Sequence, residues 1–114
     1  MSAKYWQRGE AIDYTAATAL ANGDVVDLAT RIGVAGDDIP AGETGTVHIV
    51  GVFEIPKATG AVTVGQALYW DKTAKNVTTV ASTGSDPVVN NTPAGWAVAA
   101  AAANDATVLV KLLG

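Results

Sequence analysis

Four times along this chain a glycine stands just ahead of an apolar run: Asn22-Gly23 before Val25-Val26, Ala41-Gly42 before Val47, Val64-Gly65 before Leu68, and Ala94-Gly95 before Trp96. Glycine reaches positive backbone angles that other residues adopt only at a steric cost. A glycine at the foot of each run therefore marks a tight turn leading into a strand. The runs themselves are short and rich in Val, Ile and Thr, the residue types that suit a pleated, half-buried surface. Their spacings are unequal, so no repeat is assigned. Helix signals are few. The pattern predicts an all-β, mainly antiparallel chain, a small β-barrel or sandwich with at most one short helix.

The clearest alternation covers residues 47–55. Val47, Ile49, Gly51, Phe53 and Ile55 fall on one face, and His48, Val50, Val52 and Glu54 on the other. Both faces are largely apolar, which predicts one central strand covered on both sides. Gly51 then reads as a bulge or bend and Pro56 as the end of the strand. Further on, residues 68–70 and 77–80 flank the polar loop "DKTAKN" and predict a hairpin. The segment "STGSDPVVNNTPAG", residues 82–95, has the composition of a long surface loop. "GWAVAAAAA" and "TVLVKLL" are expected to face each other across a turn at Asn104-Asp105. The one helical possibility is "YTAATALA", residues 14–21, two turns ended by Asn22-Gly23. The chain divides into an N-terminal arm, residues 1–8, and a single β-barrel domain, residues 9–114.

Composition narrows the function. At 114 residues the chain is one domain, with 49% apolar and 16% charged residues, far from the composition of a disordered chain. It has no cysteine, which excludes disulfides, thiolate catalysis and cysteine zinc sites. A net charge of −4 with the basic residues scattered argues against a surface that tracks nucleic-acid phosphates. The apolar run at residues 96–103 is too short to span a bilayer, and no basic stretch precedes an apolar block at the N-terminus, so neither a membrane span nor a cleaved signal is expected.

No catalytic, cofactor or metal residue is assigned. A Ser-His-Asp triad would need His48, which sits mid-strand between Val47 and Ile49 with no acid beside it and reads as structural. Asp37-Asp38 in "VAGDDIPAG" reads as a solvated turn, because calcium sites draw on a spaced series of oxygens. No P-loop motif is present. Trp70 and Trp96 border apolar strands and read as core anchors. The alternative is a sugar-stacking platform, which would make the chain a free-standing ligand- or carbohydrate-binding β module.

Four stretches in order, "GEAIDYTAATALANGDVV", "IGVAGDDIPAGETGTVHIVGVFEIPKATG", "VTVGQALYWDKTAKNVTT" and "PAGWAVAAAAANDATVLVKLL", resemble the capsid cement proteins, small head-decoration proteins of phages and prophages. The resemblance runs from about Gly9 to Leu113. It is most specific at residues 41–45 with 51–57, then at the Gly65 turn into Tyr69-Trp70, then at the closing Gly95 strand. It implies a β-barrel protein that binds the major capsid protein on the outside of an icosahedral head and stiffens it, commonly as a homotrimer. It implies synthesis in the host bacterial cytoplasm, residence on the virion exterior and no catalysis; from charge and hydropathy, no nucleic-acid or membrane partner is expected. Within "MSAKYWQRG", Tyr5, Trp6, Gln7 and Arg8 are candidate contacts to the capsid or a neighbouring subunit, since aromatics and arginine anchor interfaces. The competing reading is that Tyr5 and Trp6 fold back over the end of their own barrel.

Overall fold

The computed structural model describes residues 2–84 and 88–113. Along these the chain forms eleven strands: β1 (Ala11–Thr15), β2 (Val25–Asp27), β3 (Ile32–Ala35), β4 (Thr44–His48), β5 (Val52–Pro56), β6 (Ala67–Asp71), β7 (Asn76–Thr78), β8 (Ser82–Thr83), β9 (Val89–Asn90), β10 (Thr92–Ala97) and β11 (Thr107–Leu112). Every strand pairing is antiparallel. Four strands make one sheet in the order β1-β4-β3-β2, five make a second in the order β5-β11-β10-β6-β7, and β8-β9 is a separate ribbon. The expected all-β class is what the chain adopts, as two packed sheets and not a closed barrel. One parallel bridge, Lys57 to Val77, draws the β5 and β7 edges together at one end, and a single bridge is not the ladder that closure requires.

Three of the four turn glycines behave as their positions foretell: Gly23, Gly42 and Gly65 have φ of +92°, +82° and +86°. The "DKTAKN" hairpin also forms. Asp71 Oδ1 accepts the amides of Thr73 and Ala74, each at 3.0 Å, which fixes the turn between β6 and β7.

The main core lies between the sheets. Ile32 and Val34 of β3 pack with Ile55, Leu68, Trp70, Val77, Val108, Val110 and Leu112 from the five-stranded sheet. A second cluster, Ala16, Val26, Ala35, Ile39 and Val47, sits on the four-stranded sheet. A polar link joins the sheets, where the Thr92 hydroxyl donates to Asp27 Oδ1 at 2.9 Å.

Four sequence expectations need correction. Residues 47–55 are not one strand: the chain leaves the four-stranded sheet after His48 and enters the five-stranded sheet at Val52. Gly51, at φ +131°, makes that change of sheet, and its carbonyl accepts the Leu112 amide at 2.9 Å. Residues 14–21 form no helix, because Tyr14 and Thr15 extend β1 along Gly45 and Thr44 of β4. Two Ala-rich turns have little intrinsic helix stability, and sheet pairing prevails over propensity.

Residues 82–95 are not all loop either. β8, β9 and the start of β10 fall within them, while residues 85–87 lie outside the described residues. Pro93 is tolerated in β10 because it sits at an irregularity, where the register against β6 shifts between Pro93 and Gly95 and, among the described residues, pairing to β11 begins only at Gly95. Finally, β10 and β11 do pair, but through a longer connection than a two-residue turn. The Asp105 amide donates to the Ala102 carbonyl at 3.0 Å and the Ala102 amide to Asp105 Oδ2 at 2.8 Å. Lys57, largely buried, ties the alanine run down by donating to the Ala58 and Ala103 carbonyls at 3.0 and 3.1 Å.

Candidate functional site

The N-terminal residues precede β1 and carry no strand among those described. Tyr5 is 80% and Trp6 85% exposed, so neither ring covers the end of its own fold. Among the described residues the arm is held by local contacts. Gln7 Nε2 donates to the Ala11 carbonyl at 3.2 Å, and the Arg8 guanidinium lies 3.7 Å from Glu10 on the surface. All four candidate contact residues thus belong to one short exposed segment at the foot of β1. Burying two such rings on a partner removes a large apolar area from water, which is how aromatic anchors act at interfaces.

The other singled-out residues do not join them. His48 sits in β4, opposite Ala11 of β1 and Val34 of β3, and is partly buried. Its ring centroid is 6.2 Å from that of Phe53, tilted by 31°. A Cβ added at Gly36 would stand 2.7 Å from His48 Nε2, so the imidazole fills the space the glycine leaves. Asp38 is used by a turn, its Oδ1 accepting the Asn22 amide at 2.8 Å. Among the described residues no three His, Asp or Glu side chains converge as a metal site.

The two strand tryptophans lie on opposite faces of one sheet. Trp70 stands opposite Thr92 on the inner face and is 7% exposed, whereas Trp96 stands opposite Ala67 on the outer face and is 44% exposed. Two rings on opposite faces cannot stack on one sugar. Trp70 is the core anchor expected; Trp96 is not. A cleft of about 450 Å³ opens between β2 and the β6–β7 hairpin, with Asp24 and Asp27 on one wall and Lys72 and Lys75 on the other. Its carboxylates are taken up by the fold: Asp24 accepts the Ala21 amide, and Asp27 accepts the Ala29 amide and the Thr92 hydroxyl.

The surroundings of Trp96 are not legible in the sequence. The register of β5, β11, β10 and β6 puts Val52, Lys111, Trp96 and Ala67 in one row across the outer face. Leu109 and Glu54 form the next row. Val52 and Leu109 are 50% and 40% exposed. Alternation within "TVLVKLL" places Leu109 and Lys111 together, but only pairing reveals that Val52 and Trp96 share their face. Among the described residues, no helix is long and apolar enough to cross a membrane.

A family model described as phage cement protein matches residues 6–112, nearly the whole chain. No curated protein and no solved structure matches it significantly.

Proposed function

The chain belongs to the phage cement protein family, and on that premise we propose that it is a non-catalytic head-decoration subunit that binds the outside of the assembled capsid shell as a homotrimer. The observation that carries this reading is the family match over residues 6–112. The physics required is modest. A protein that binds the assembled shell better than its dissociated subunits stabilises the shell by mass action, with no chemistry at all. A cysteine-free chain of short paired strands, with the Asp38 and Asp71 carboxylates taken up by turns, suits that role.

The arm supplies one contact. Tyr5 and Trp6, exposed beside Gln7 and Arg8, dock on the capsid protein or on a neighbouring subunit, and the extended arm adds to an exposed sheet edge there. The experiment is co-sedimentation with heads of the same phage lacking decoration. Saturable binding at a fixed ratio per capsid subunit supports the reading. A chain that stays in the supernatant at all concentrations refutes it.

A further inference from the structure

The outer face of the five-stranded sheet is apolar where a lone subunit has no need of it. Trp96 stands at its centre, Val52 lies across β11 from it, and Leu109 sits diagonally between them. Three large side chains, each at least 40% exposed and on adjacent strands, form one contiguous patch. Only two charges share these rows, Glu54 and Lys111, one of each sign. They are diagonal neighbours across β5 and β11, yet no ion pair joins them among the described residues. The Lys111 ammonium turns instead to the Leu112 carbonyl at 2.7 Å.

From this composition we infer that the patch is the contact between copies of this chain, with the Trp96 rings of neighbouring subunits packed together and Glu54 of one copy facing Lys111 of the next. The inference rests on the trimer proposed above and names its surface. Self-association suits this patch electrostatically. The chain as a whole carries −4, so a random face would repel its copy, but these rows are neutral and hold both signs, so Glu54 of one copy can meet Lys111 of the next in a head-to-tail contact that closes around a threefold axis. It also leaves the arm free: the arm leads into β1 of the four-stranded sheet, whereas the patch belongs to the five-stranded one.

Charge reversal tests the inference. Glu54→Lys and Lys111→Glu are each expected to shift self-association by tenfold or more toward monomer, read by light scattering over a concentration series. The double variant, whose chains again carry one charge of each sign, is expected to recover it. A foreign partner would not follow the double reversal, so failure of recovery overturns the inference. Because the chain has no cysteine, Trp96→Cys provides a second readout on heads as well as in solution. Cross-linked dimers under oxidation are expected, with a Thr63→Cys control remaining uncross-linked. Absence of cross-linking in a variant that still co-sediments with heads overturns the surface assignment and leaves decoration standing. Loss of head binding by the wild-type chain would instead refute decoration itself.

Discussion

Gly23 and Gly95 each stand ahead of an apolar run and look alike in the sequence, yet they differ sharply in the fold. Gly23 has φ +92° and open space where a Cβ would go, so alanine there incurs backbone strain alone. Gly95 has φ +148°, and an added Cβ would run into the Lys111 carbonyl oxygen across β11. Gly23→Ala should therefore lose about 1–2 kcal/mol of stability, and Gly95→Ala about 3 kcal/mol or more. Chemical denaturation of the two variants checks the ordering; equal losses would show that the β10–β11 approach is looser than described. The place of His48 in a strand was legible in the sequence, although its seat against Gly36 was not, since nothing in the sequence brings residues 36 and 48 together. His48→Gln is expected to lower stability by no more than about 1–2 kcal/mol and to leave head binding unchanged in the co-sedimentation assay.

Strands were legible wherever local chemistry sets them, and illegible where tertiary pairing decides. The β6–β7 hairpin announces itself through "DKTAKN", because the Asp71 side chain and its own backbone build the turn. The break between β4 and β5 is invisible to alternation. Ile49, Val50 and Val52 keep the apolar run going, and only the positive φ of Gly51 sends the chain to the other sheet. Likewise the proline and asparagine content of residues 82–95 hides β10, whose Pro93 sits where the register against β6 shifts. The arm was visible as an aromatic segment without a pattern, whereas the exposure of Tyr5 and Trp6 was not legible in the sequence. Deleting residues 2–8 is expected to leave the melting temperature of the isolated subunit unchanged and to weaken head binding. A large fall in melting temperature with binding retained below it would assign Tyr5 and Trp6 to their own fold.

At the scale of the whole molecule, two sheets share a core and leave separate outward features, the arm at the foot of β1 and the Trp96 patch on the five-stranded sheet. The sequence made the family resemblance legible over most of the chain, yet it misplaced Trp96 in the core because burial depends on which face the register assigns. If the arm docks on the capsid and the Trp96 patch on a neighbouring copy, as proposed, a subunit would bind its neighbours and the shell at once, and linked contacts of that kind raise avidity beyond either alone. Cementing requires more than binding, however. A chain that bound free capsid subunits as tightly as the assembled shell would leave the assembly equilibrium where it was. The direct measurement is the temperature at which undecorated heads come apart, recorded while the chain is titrated in. A rise that saturates at the same ratio as co-sedimentation is the predicted result. Saturable binding with no change in that temperature would contradict the account.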